Sequence, residues 1–314
     1  MGIDLNGVQL LIRAHKSGVS FESVATFGRQ SLNGSRQTLI SILRESGYEV
    51  TKELVSTLLH PTTVYCEDFL RLLGAKTIVA IDVSDYEGAQ VIHDMNRPIP
   101  DSLVSLFDLV LDGGTLEHVF DFPTALRSAT RMVRPNGRFI SLTMANNFCG
   151  HGFYQFSPEL FYRFLSLANG YEMESCIMWE DVIWSRFYRV PDPNGVKSRI
   201  NLRSEFGTYM MVQAKRLGNG EQGFTPHQSD YVSVWKGQPA AAVEPRHSRS
   251  SSKLRSELRR IGILRSAVLF VKKMLRIQRK NRVADYYGAV LKTAAEEGVL
   301  TPLEDLSVLL GDIS

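Results

Sequence analysis

Two short apolar runs, each closing on an aspartate, limit most sharply what this chain can fold into: Thr77–Asp82 (TIVAID) and Phe107–Asp112 (FDLVLD). A strand with one face in water alternates polar and apolar residues. These runs do not alternate, which suits parallel strands covered on both faces. Similar pieces surround them. Ser23–Gly28 reads as a buried strand closed by glycine, and a short strand is expected near 88–92. Helical patterns cover 35–47, 62–73 and 122–133, the first two stopped by Gly47 and Gly74. Arg134–Gly137 (RPNG) reads as a turn into a strand over 138–144.

Alternating strands and helices are the mark of βαβ units and a parallel sheet. After residue 150 the rhythm changes. A helix over 157–167 opens on Ser157-Pro158-Glu159, with serine as N-cap and proline at the first helical position. Two longer strands, near 172–182 and 206–215, read as an antiparallel pair at the sheet edge, with Pro191–Gly195 as a loop between them. The fold class expected is α/β: a doubly wound, mostly parallel, seven-stranded sheet with a C-terminal helical extension. The α/β domain spans 1–216, its recognisable part about 20–216. A Gly/Ser/Gln/Pro-rich linker follows over 217–250 and a basic amphipathic helical extension over 251–314, with short helices expected at 284–297 and 302–310.

Charge separates these parts. The net charge is +3, yet 13 Lys and Arg against the single acid Glu257 lie between Arg246 and Arg282, a balance of 13 − 1 = +12. The remainder then carries 3 − 12 = −9. The basic stretch 251–283 carries an apolar stripe at helical spacing. It can lie on an anionic membrane surface, meet a partner, or pack on the acidic body. Phe270 is its one aromatic residue, which argues against stacking on nucleic acid. The 44% of hydrophobic residues can build a core, so a disordered chain is excluded. Three separated cysteines, Cys66, Cys149 and Cys176, form no CxxC pair. Neither a disulfide framework nor a metal site is indicated, and a reducing, cytoplasmic compartment is expected, with contact at the inner face of the membrane open to the basic segment.

In an open parallel sheet, ligands bind beyond the carboxyl ends of the strands. Four such ends hold candidates. Gly28 allows close backbone approach, or only makes a tight turn. Asp82 is placed to accept from ribose hydroxyls, or to cap a helix. Asp94 can read an adenine amino group, or shape its own loop through an Asx-turn. Asp112 and Gly113 can line a pocket, with His118 next to them as a contact to the acceptor or a structural tie. A fifth segment, Met144–Phe156, should arch over that pocket. It offers Asn146 and Asn147 to orient an acceptor, and His151 and Tyr154 for catalysis, His151 as the base that takes a hydroxyl proton. The other reading makes its aromatic residues core and His151 a cap.

The stretch Phe107–Val119 (FDLVLDGGTLEHV) resembles the fourth-strand motif of class I S-adenosylmethionine (SAM) methyltransferases. Val133–Phe139 (VRPNGRF) is similar to that family's turn into strand five, and Ile78–Asp82 to its second strand with the ribose-binding acid. The resemblance covers about 20–216. It implies SAM as cofactor, held by Gly28, Asp82, Asp94, Asp112 and Gly113, and methyl transfer to an O or N atom of a small polar or glycan-linked acceptor. Residues 85–89, 93–96 and 146–159 further resemble a bacterial subgroup associated with glycan and secondary-metabolite pathways. The chain departs from the family after strand one. Phe27–Gly34 (FGRQSLNG) replaces a G-x-G-x-G run that wraps the methionine end of SAM, and 35–76 is a long insertion. That departure keeps a second reading open, a methyltransferase-like module that binds without catalysing.

Overall fold

The computed structural model describes residues 2–58, 65–182, 185–196, 202, 204, 206–221, 224–237 and 301–302. In chain order these form β1 (Gly2–Ile3), α1 (Leu5–Lys16), β2 (Ser23–Phe27), β3 (Ser31–Leu32), α2 (Arg36–Glu45), α3 (Lys52–Leu58) and α4 (Glu67–Leu72). Then come β4 (Thr77–Asp82), β5 (Val91–Ile92), β6 (Phe107–Asp112), α5 (Phe122–Met132), β7 (Val133–Asn146), α6 (Pro158–Phe164) and β8 (Tyr171–Glu180). The last are β9 (Tyr188–Arg189), α7 (Pro193–Val196), β10 (Thr208–Arg216), α8 (Ser229–Trp235) and β11 (Thr301–Pro302).

The main sheet has nine strands in the order β11-β9-β8-β10-β7-β6-β2-β4-β5. Seven of them, β8 to β5 in that order, form the expected doubly wound sheet. β5, β4, β2, β6 and β7 run parallel, and β10 is antiparallel to both β7 and β8. The antiparallel pair is not the outer edge, because the two-residue strands β9 and β11 add on beyond β8. β1 and β3 pair separately, in parallel.

Every residue of β6 is buried, as its lack of alternation requires. Burying each of its Leu and Val side chains contributes roughly 1.5–3 kcal/mol. One face of the sheet packs on α5 and α6 through Val110, Leu126, Ala129, Phe139 and Phe161. The other packs on α1, α2 and α4 through Leu11, Leu43, Phe69, Leu111 and Ile140. The 134–137 turn is a local break inside β7: Phe107 pairs with Val133 but Leu109 with Arg138, and Asn136 sits at φ 66°. Asp108 fixes it, pairing with Arg134 and accepting from the Ser23 amide at 3.1 Å.

Beyond β10 the chain stays on the body. Leu217 N–H donates to the Gly170 carbonyl, and the first turn of α8 donates from Ser229 N–H to Glu159 at 2.7 Å. The basic stretch 251–283 and the helices expected at 284–297 and 302–310 lie outside the described residues, except for Pro302, which closes β11. Among the described residues no helix is long and apolar enough to cross a membrane.

Candidate active site

Strand order reverses direction at β2, which has β4 on one side and β6 on the other. A crevice is expected outside their carboxyl ends. There Gly28 takes φ 66°, a left-handed turn that a side chain would strain, and its N–H donates to Ile81 O at 2.7 Å. Asp82 closes β4 half-exposed. One of its oxygens accepts from Val83 N–H at 2.6 Å, and the other has no partner among the described residues.

The expectation that Asp112 lines a pocket is corrected. It is fully buried and its oxygens are occupied: Oδ1 accepts from Thr115 N–H at 2.8 Å and Leu116 N–H at 3.3 Å, and Oδ2 from Ser141 Oγ–H at 2.6 Å. It holds the Gly113-Gly114 turn in place. Asp94 is half-buried and shapes its own loop, with Oδ1 accepting from Asn96 N–H at 2.9 Å and Asn96 Nδ2 at 2.8 Å. These bonds hold its carboxyl below the usual range. Asn96 in turn accepts from the Asp121 amide at 2.9 Å, tying this loop to the start of α5.

The arch after β7 folds onto residues 117–118. Phe153 N–H donates to Glu117 O at 2.8 Å, and a Cβ on Gly152 would lie 2.8 Å from that oxygen, so only glycine allows the approach. This brings His118 and His151 together, with ring centroids 5.1 Å apart. His151 is exposed, and His118 has a buried Nε2 without a partner. Burial, then the charge of His151, lowers the His118 pKa and favours its neutral form. The other arch residues brace it. Asn147 sits at φ 60° and donates to Ser204 O at 2.6 Å and Phe206 O at 3.0 Å. Tyr154 gives its hydroxyl proton to Phe120 O at 2.7 Å and packs on Phe122. Both were expected to face the acceptor; their polar groups are instead engaged by the protein. Asn146 is half-buried at the end of β7, paired with Thr208.

Sequence reasoning missed Glu117. Its side chain is buried beneath the Gly113-Gly114 turn, with Oε2 accepting from Thr143 Oγ–H at 3.0 Å and Oε1 unpartnered. Burial, and then the Asp112 charge, pushes its carboxyl up to about 8. The available signal was an acid next to apolar Leu116, three positions after a double glycine.

Residues 63–141 match the family described as "Methyltransferase domain". Over this stretch the chain carries a methyltransferase-domain match. Among solved structures it is similar to the 1,6-didemethyltoxoflavin-N1-methyltransferase of Burkholderia thailandensis, at 15% identity over 68% of this chain and 78% of that one, TM-score 0.34. It is also similar to the branched-chain polyamine synthase of Thermus thermophilus, at 13% identity over 71% of this chain and 59% of that one, TM-score 0.36. A SAM-dependent methyltransferase of Mesorhizobium loti aligns at 14% identity over 68% of this chain and 100% of that one, TM-score 0.33. No curated protein matches it significantly. The seven-strand order, and not these low scores, ties the methyltransferase to its fold class.

SAM, the cofactor of this family, fits the crevice at its nucleoside end, where Asp82 keeps a free carboxylate oxygen and Gly28 allows close backbone approach. At the methionine end the replaced glycines matter. Gln30 is 1% exposed, and its Oε1 lies 2.5 Å from where a Cβ on Gly113 would be. Its Nε2 donates to Phe27 O, while Oε1 has no partner. Arg29 pairs with Glu67 at 2.5 Å and reaches Glu87 O at 3.2 Å across the space beside β4. The cofactor therefore fits once the Gln30 side chain, half-satisfied where it lies, turns out of the methionine path. Gln30→Ala is expected to strengthen binding of S-adenosylhomocysteine (SAH) about tenfold, read by calorimetry, because the loss of its hydrogen bonds to Phe27 O and Thr115 Oγ1 no longer opposes entry. Weaker binding would make Gln30 a direct contact to the ligand.

Proposed function

We propose that this methyltransferase transfers the SAM methyl group to an oxygen or nitrogen of a small polar or glycan-linked acceptor, with His151 taking the acceptor's proton. The observation that carries this reading is the exposed His151 ring held against His118 at the lip of the crevice. The cofactor supplies an electrophilic methyl on a sulfonium. The chain's part is to orient the acceptor and hold its proton. His118, kept neutral by burial, does not compete as a cation beside an imidazolium forming on His151. The acceptor class is supported by two exposed aromatic rings at the same lip. Phe120 and Phe153 are 72% and 66% exposed, with centroids 5.8 Å apart, and such faces pack on the C–H side of a sugar or another polar ring. Asp82 and Gly28 would hold the nucleoside, and Asp94 would keep the adenine-side loop in shape.

The test is a screen of hydroxylated and amino acceptors with SAM, reading SAH release in wild-type protein and His151→Gln. The variant is expected to lose about 10²–10⁴ in kcat with SAH affinity unchanged. Retained kcat in the variant would remove His151 from the chemistry. An acid limb of the rate profile below the ordinary histidine range would assign the proton to His118 instead.

The second reading, a module that binds without catalysing, is favoured by Gln30 in the methionine path. It expects SAH binding with no turnover on any acceptor, and partner contact through 251–283.

A further inference from the structure

A cavity of about 450 Å³ lies away from the carboxyl-end crevice, between α1, the end of α2 and the strands β8, β9 and β10. That volume falls within the roughly 300–1,000 Å³ of small-molecule sites. Six charged groups line it, four of them basic: Arg13, Lys16, Arg138 and Arg189 against Glu45 and Glu174. Arg138 and Glu174 are engaged with each other. The two oxygens of Glu174 accept from Arg138 Nη2 at 2.9 Å and from Gln213 Nε2 at 2.7 Å. Lys16 is exposed and donates to the Ser46 carbonyl. Glu45 is exposed at the last residue of α2 and pairs with no cation among the described residues.

Arg13 and Arg189 remain. Both are half-buried, and neither has a carboxylate partner or a hydrogen-bond acceptor among the described residues. Burial without a counter-charge lowers the Arg13 pKa. Two facts bring these groups to one place. The Arg13 guanidinium lies 4.8 Å over the Phe187 ring, and Phe187 is two positions from Arg189, on the same side of an extended chain. Arg189 stands opposite Ile177 of β8, and Ser175, two positions along, shares that face and lines the cavity with a hydroxyl unbonded among the described residues. We propose that Arg13, Arg189 and Ser175 form a second ligand site, which takes the phosphate group of a small soluble phosphomonoester. A phosphate dianion matches two guanidinium groups in charge, and its oxygens accept from both planar forks and from the hydroxyl. A single carboxylate would leave one cation unmatched. Glu45 disfavours a further anionic group beside it, so the rest of the ligand is uncharged or cationic.

Calorimetry of the full chain with inorganic phosphate, at constant ionic strength in chloride, tests this. Saturable binding at one site per chain is expected. Affinity should fall about tenfold in Arg13→Gln and about tenfold in Arg189→Gln, the loss of one charge-assisted contact each, in variants that keep a cooperative thermal transition. Saturating SAH should leave the phosphate affinity unchanged. No saturable heat up to tens of millimolar phosphate would overturn the proposal, as would an affinity indifferent to both substitutions. Competition by SAH would move the anion to the crevice and overturn it too. Vesicles of phosphatidic acid distinguish the other source of this chemistry. Vesicle binding that needs both arginines, without binding of free phosphate, would assign the site to a lipid headgroup and contradict a soluble ligand.

Discussion

Alanine at Asp82 is expected to weaken SAH binding about 100-fold and leave the fold intact. The carboxylate sits at the end of β4 with one oxygen on its neighbour's amide and the other free. A ribose diol donates to such a group through charge-assisted hydrogen bonds, each contributing roughly 1.5–3 kcal/mol. Losing one or two of them gives that factor. The side chain is half-exposed, and its hydrogen bond among the described residues is to the next residue's amide, so the thermal midpoint should hardly move, as for a surface substitution. Calorimetry on both proteins separates the two effects. Equal SAH affinity in Asp82→Ala would take the ribose role away from this residue.

The second large effect is in stability. Glu117 carries a carboxyl raised from 4.5 to about 8 by burial and by the Asp112 charge. A raised acid binds its proton more tightly in the folded state than in the unfolded chain. Its contribution is therefore full below pH 4.5 and is lost as pH rises through about 8. Glu117→Gln keeps the acceptor for Thr143 and does not titrate. It should match the wild type near pH 5 and exceed it by about 2–4 kcal/mol at pH 9. Urea midpoints at pH 5, 7 and 9 read this directly. Parallel pH profiles for the two proteins would mean that Glu117 is ionised, and solvated, in the folded state at neutral pH.

Much of the fold was legible because the parallel strands carry their own signature. The unalternating runs at 77–82 and 107–112 are β4 and β6, and the pieces at 23–28 and 138–144 fall in β2 and β7. The helix α1 was not legible. Gly7, a poor helix former, sits in its first turn, packed closely enough that a Cβ would lie 3.1 Å from Asp4 Oδ1 and 3.2 Å from Leu142. Tertiary packing, which a local pattern does not show, decides that element. The two-residue strands β9 and β11 likewise exist only through their partners.

At the site the split is similar. Asp82, Gly28, His118 and His151 stand at the strand ends and arch where the sequence put them. For Asp112, Asn147 and Tyr154 the residue type was informative but the direction of the side chain was not. Each has its polar atoms engaged by backbone groups or Ser141 that lie 3 to 59 positions away. Glu117 escaped notice because its burial depends on β7 passing over it. Gln30 shows the same limit from the other side. The loss of glycines was visible in the sequence, but not that one amide would fill the space above Gly113.

The central claim is that the crevice outside β2 and β4 binds the cofactor despite its altered first loop. Isothermal titration of SAH into the wild-type protein tests it most directly. Saturable heat with one site per chain is the expected result. No detectable heat up to millimolar ligand, from protein with a cooperative thermal transition, would contradict it.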